Sequence, residues 1–175
     1  MPRNRKRNRL KEHDYSQGGY YFITICIEGR ENIFGIIENS DCILNKYGDI
    51  VKNVLVELPK RYSYVEIDYY VIMPDHIHTV IIIDPSESKK QKTKSLSEII
   101  GAFKTMSSKQ IHIKGLKNFK WQRSFYDRAI RNEKELFLIF WFDLELRGIF
   151  DEVISVTSKL VIRSLRFTRD DKSKA

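Results

Sequence analysis

The run from Val65 to Ile83 constrains the fold most. Val65, Ile67, Tyr69, Val71 and Met73 fall on alternate positions, the period of a half-buried strand. Pro74-Asp75 suits the middle of a tight turn. The β-branched stretch Ile77 to Ile83 then returns antiparallel to the first arm. His76 and His78 start this second arm. Side chains two apart on a strand share a face, so both imidazoles project from one side and Ile77 from the other. Two neutral imidazoles so placed are half of a divalent-metal site. The competing reading is a pair of core or surface histidines that happen to alternate.

Other elements follow from local pattern. Tyr20 to Ile27 reads as a strand with Tyr21, Ile23, Ile25 and Ile27 on one face, and Glu28 to Asn32 breaks it. Ile33 to Ile37 suits a short edge strand. Asn45 suits the N-cap of a helix carrying Tyr47, Ile50, Val51, Val54, Leu55 and Leu58, ended by Pro59. Ser95 and Glu98 have capping-box spacing. Leu96, Ile99, Ile100, Phe103 and Met106 form the buried stripe of the helix that follows, with Lys104, Ser107, Ser108 and Lys109 on its other side. Trp121 to Arg131 is extended or irregular, with a strand at Phe125 to Ile130, and Glu133 opens a last helix running to about Arg147. The order predicts an α+β, ferredoxin-like sandwich with helices packed on an antiparallel sheet. The expected organisation is a basic disordered arm over residues 1–14, one domain over 15–147 and a divergent basic segment over 148–175.

Of the 175 residues, 42% are apolar and 31% charged, the balance of a soluble globular protein. No apolar stretch approaches the ~20 residues a membrane helix needs. No secretory leader is visible, so a cytoplasmic, nucleoid-associated protein is expected. The net charge of +8 favours polyanions, nucleic acid above all. The excess is clustered in Arg3 to Lys11, in Lys89 to Lys94 and in Arg163 to Lys174. Charge and placement nominate Arg5, Arg7, Lys104 and Arg123 as DNA contacts; an ion pair for Arg123 and a solvated helix face for Lys104 are the plainer alternatives. Tyr20, Phe22 and Trp121 are able to stack on bases, with core packing the competing role. Cys26 and Cys42 read as reduced thiols. With His13 and His112 they are not spaced to close a four-ligand zinc site. A two-histidine site with open positions suits Mg2+ or Mn2+ and phosphate oxygens instead.

Five stretches form an ordered set: Gly19-Tyr20-Tyr21-Phe22-Ile23-Thr24-Ile25-Cys26 with Phe34-Gly35; Leu44-Asn45-Lys46-Tyr47-Gly48; Val71-Ile72-Met73-Pro74-Asp75-His76-Ile77-His78; Ser95 to Ile100 with Phe103-Lys104; and Trp121 to Asp127 followed by Ile130-Arg131-Asn132-Glu133. Together they resemble the single-tyrosine transposases of the HUH class, and within it the REP-associated branch. The resemblance covers roughly residues 14 to 136. It implies that His76 and His78 bind the metal that polarises a scissile phosphate. It also implies that a tyrosine on the last helix attacks single-stranded DNA to give a 5′-phosphotyrosine link and a free 3′-hydroxyl. The implied partners are single strands folded into hairpins, such as palindromic repeats, met by a monomer or a homodimer.

The chain departs from this pattern at its end. The position implied for the tyrosine reads Phe142, no Asn-Pro pair follows, and the implied third ligand falls at Leu146, with Glu145 turned ~100° away on the helix. Tyr126 is the last tyrosine in the sequence and the remaining candidate nucleophile. A shifted reading frame after about Leu136 would account for the abrupt change, and the coding DNA tests it. Two further readings compete: a hairpin-binding module without cleavage, and an RNA-binding sheet of the RRM type. The second requires paired aromatics that Ile77 to Ile83 lacks.

Overall fold

A computed structural model describes residues 18–39, 41–88, 92–132 and 134–136. The expectations for Arg5, Arg7 and the rest of the arm, for Phe142 and for the domain boundaries at 14 and 147 fall outside these residues. By contact density the chain divides into one unit of residues 1–37 and 42–129 and a second of 38–41 and 130–175. In the described part of the second unit, Asn132 Oδ1 accepts the Glu135 N–H at 2.9 Å while Glu135 Oε2 accepts the Arg131 N–H at 3.0 Å. This reciprocal cap precedes the helical residues 134–136.

The main sheet has four strands in the order β4-β5-β1-β6: β1 is Gly19–Cys26, β4 Val65–Ile72, β5 His76–Ile83 and β6 Tyr126–Ile130. Central β5 pairs antiparallel with both β1 and β4. This is the antiparallel sheet with helices packed on it that the sequence predicts. A two-stranded ribbon of β2 (Gly35–Glu38) and β3 (Asp41–Leu44) follows β1. The sequence reading has the first of these strands and misses the second. A Cβ at Gly35 would press on the Ile43 carbonyl oxygen, and one at Gly48 on that of Phe34. The ribbon therefore lies against the start of the first helix with no room for a side chain at either place.

Helix α1 (Lys46–Val56) starts at Asn45, whose Oδ1 accepts the Tyr47 and Gly48 N–H groups at 2.8 and 3.3 Å. Pro59 does not end the helical stretch. It occupies the first turn of a short helix α2, Leu58–Arg61, where its missing N–H costs nothing. Helix α3 (Leu96–Ile113) carries the full Ser95/Glu98 capping box. Apolar side chains of β1, β5, α1 and α3 join in one buried cluster, with Tyr21, Ile23, Ile25, Leu55, Ile77, Ile81, Ile99 and Phe103 among its most enclosed members.

Two sequence expectations are corrected by packing. β4 carries a bulge between Ile67 and Tyr69, so its alternation changes phase. Val65 and Ile67 sit opposite Ile83 and Ile81, whereas Tyr69 and Val71 sit opposite Val80 and His78. Val71 thus joins the histidine side of the sheet. Ser107 does not face solvent: it is fully buried and its Oγ accepts the indole N–H of Trp121 at 3.0 Å.

Candidate functional site

The β1–β5 register sets the site. Cys26 lies opposite His76 and Thr24 opposite His78, on the face away from Ile25 and Ile77. The Nε2 atoms of the two imidazoles approach to 3.0 Å, and the rings are nearly perpendicular at 82°. Each Nδ1 has its own partner. His76 Nδ1 is 2.5 Å from Asp75 Oδ1, and His78 Nδ1 is 2.9 Å from Thr24 Oγ1. An ionised carboxylate only accepts, so the His76 proton belongs on Nδ1 and its Nε2 lone pair faces His78. The Thr24 hydroxyl either donates or accepts and is compatible with either tautomer of His78. Phe22 stacks on the His78 ring at 5.3 Å and 16°. The His76 side chain remains 17% exposed, so the pair is neither divergent nor sealed.

Two bare lone pairs 3.0 Å apart would repel; either a ring proton or a cation belongs between them. Two ligands on neighbouring octahedral positions, each ~2.1 Å from a metal, stand about 3.0 Å apart. The pair therefore fits a small divalent ion, and the Asp75 and Thr24 contacts are the kind of support that orients ligating histidines. Among the described residues no group of three or more His, Cys, Asp and Glu side chains could hold a metal. The two imidazoles alone would leave the remaining positions of such an ion to water or phosphate oxygens. Cys26 and Cys42 are not joined in a disulfide, and His112 donates its Nε2–H to the Phe119 carbonyl at 2.8 Å.

The other nominated residues lie elsewhere. Tyr126 is 46% exposed and begins β6, the edge strand beside β1. Arg123 is exposed in the segment before β6. Lys104 is occupied by its own chain: Nζ donates to the Gln122 and Ser124 carbonyls at 2.8 and 3.0 Å and lies over the Phe125 ring. Burial lowers its pKa to about 8, and only Cys26 opposes the shift. Lys104 thus ties the segment after Trp121 to α3. Trp121 packs in the core against Phe34, Phe103 and Phe119.

Sequence reasoning did not assign roles to Thr24, Asp75 or Arg30. Thr24 was reachable by pairing β1 with β5. Asp75 was reachable as the neighbour of His76, but its turn position hid its second use. Arg30, whose Nε lies 2.8 Å from Asp75 Oδ2, carries no local signal.

Comparison with known proteins brings in independent observations. A family model described as "Transposase IS200 like" matches residues 15–136. An uncharacterised protein of Haemophilus influenzae is 34% identical over 78% of this chain and 84% of its own length. The REP-associated tyrosine transposase of Escherichia coli is 24% identical over 69% of this chain and 61% of its own length. Among solved structures, a REP-associated tyrosine transposase bound to a REP hairpin superposes with a TM-score of 0.50 at 22% identity, covering 73% of this chain and 66% of that one. A Deinococcus radiodurans protein provisionally described as a transposase gives 0.51 at 13% identity, covering 77% and 96%. These structural likenesses support the fold alone.

Proposed function

Because the chain belongs to the IS200-like transposase family, we propose that it acts on single-stranded DNA folded into palindromic-repeat hairpins. His76 and His78 would hold Mg2+ or Mn2+ at the contact with the scissile phosphate. The observation that carries this reading is the convergence of two Nε2 atoms at 3.0 Å, each ring oriented through Nδ1. A bound divalent ion would draw charge from a non-bridging phosphate oxygen. The chain's own residues do the rest: Asp75 and Thr24 orient the rings, and Phe22 limits rotation of His78. The exposed Arg123 is available to a phosphate, and the N-terminal arm with Arg5 and Arg7 supplies further positive charge. The mechanism that the family resemblance implies cleaves the strand with a tyrosine hydroxyl, and Tyr126 is the last tyrosine in the chain.

A second reading, hairpin binding without cleavage, is favoured by Phe142 at the position the family resemblance gives to the nucleophile. A phenyl ring has no oxygen with which to attack phosphorus. The family match ends at residue 136, next to the point where a change of reading frame is proposed. One assay separates the readings. The protein is incubated with a labelled hairpin oligonucleotide and Mn2+ and then denatured. A surviving protein–DNA adduct that disappears with Tyr126→Phe supports cleavage through Tyr126. A retarded complex with no adduct supports binding alone, and absence of both rejects the proposal. In the coding DNA, a Tyr…Asn-Pro stretch in a shifted frame after codon 136 would identify the origin of Phe142.

A further inference from the structure

The excursion between β1 and β2 is anchored at its ends by the buried Ile27 and Phe34, but its turn Glu28–Arg30 buries none of its own residues, so core packing does not set the shape of that turn. Its backbone is nonetheless fastened to the β4–β5 turn. The Ile27 N–H donates to the Asp75 carbonyl, and the Ile33 and Phe34 N–H groups both donate to the Pro74 carbonyl, each at 2.9 Å. Inside the excursion Gly29 and Arg30 both have positive φ, 78° and 59°. Glycine adopts that region freely, whereas an arginine is held there against its preference. The side chain shows what the conformation accomplishes. Arg30 Nε donates to Asp75 Oδ2 at 2.8 Å, and Nη1 donates to Cys26 Sγ at 2.8 Å. The other oxygen of the same carboxylate accepts from His76 Nδ1.

We propose that Arg30 is a positioning residue for the histidine pair: it clamps the Asp75 carboxylate so that His76 keeps its proton on Nδ1 and turns Nε2 toward His78. The inference rests on reading the two histidines as metal ligands. With one oxygen held by the guanidinium, the carboxylate plane cannot rotate, and the imidazole that follows the other oxygen is fixed with it. A carboxylate free to turn would release Nδ1–H, leaving Nε2 free to take the proton and lose its ligating lone pair. Arginine suits the task because Nε and Nη1 are two fixed directions on one planar group, one for Asp75 and one for Cys26. A lysine offers one flexible ammonium. The Arg30 side chain is 51% exposed, so its ion pair adds little to stability, and orientation is what it supplies.

The test uses the full chain, with Arg30→Asn, Arg30→Lys, Asp75→Asn and His78→Ala. Asparagine tolerates the left-handed backbone but loses both donors. Two quantities are read: Mn2+ affinity by calorimetry, and the ring-nitrogen NMR spectrum of His76 without metal. The unsubstituted protein is expected to show a single Nδ1–H form. Arg30→Asn and Asp75→Asn should show mixed tautomers and an Mn2+ affinity about tenfold weaker or more, with Arg30→Lys between and the melting temperature unmoved. An unchanged His76 spectrum with affinity within about twofold in Arg30→Asn overturns the proposal. If His78→Ala binds Mn2+ as the unsubstituted protein does, the metal reading fails instead, and the metal-free spectrum alone decides whether Arg30 orients His76.

Discussion

The enclosed face of β5 and the histidine pair on its other face are built on opposite principles. On one, Ile77 and Ile81 are fully enclosed and pack beside Ile25 and Ile23 under the helices. Their fit follows from volume and apolarity, and any neighbour of the right size would serve. On the other, His76 and His78 are fixed by direction: a carboxylate, a hydroxyl and an aromatic plane each settle one degree of freedom. The first face should govern whether the chain folds, and the second whether two nitrogens meet.

Three substitutions would sharpen or break that contrast. Ile77→Ala should have the largest effect on folding, a loss of about 2–5 kcal/mol in urea denaturation, because the site is sealed and cannot refill. A loss below about 1 kcal/mol would mean that the apolar face is not the stabilising one.

Next comes Lys104, at the margin of the core. Its pKa falls from 10.5 to about 8 on folding, so between those values the unfolded chain holds more protons than the folded one. Stability should rise with pH across that window, with the penalty fully present below about 8. Because the group is only partly enclosed, the gain is expected at about 1–2 kcal/mol. Lys104→Met should remove that part of the slope in denaturation measured from pH 7.5 to 10.5. A variant with the parental slope would assign the dependence to other groups.

The smallest stability effect belongs to Thr24→Val, which keeps shape and removes the hydroxyl. Unfolding free energy should move by less than about 0.5 kcal/mol. Mn2+ affinity should still drop several-fold, and Thr24→Ser should restore it. Equal affinity in all three proteins would show that His78 needs no partner at Nδ1.

Much of the first face was legible in the sequence. Alternation in β1 and β5, the Asn45 cap and the Ser95/Glu98 box each depend on residues a few positions apart. The i, i+2 spacing of His76 and His78 likewise fixed their common side. What escaped depends on distant partners. The bulge after Ile67 changes phase through pairing with β5, which no period within β4 reveals. Ser107 reads as a polar helix position until Trp121 reaches it from another segment. Asp41–Leu44 is short, and its exposed and half-buried residues give little hydrophobic signal. Arg30 meets Asp75 across a loop that three backbone hydrogen bonds hold to the hairpin turn, contacts between segments that no local pattern reveals.

Those three bonds have an evolutionary consequence. They are made by peptide groups, which every residue but proline supplies in full. Apart from Gly29 with its positive φ, the stretch from Glu28 to Asn32 can therefore drift in side-chain identity while remaining moored, provided its length is kept. Insertions or deletions there should be far rarer among homologues than substitutions, and position 30 is where drift should be slowest.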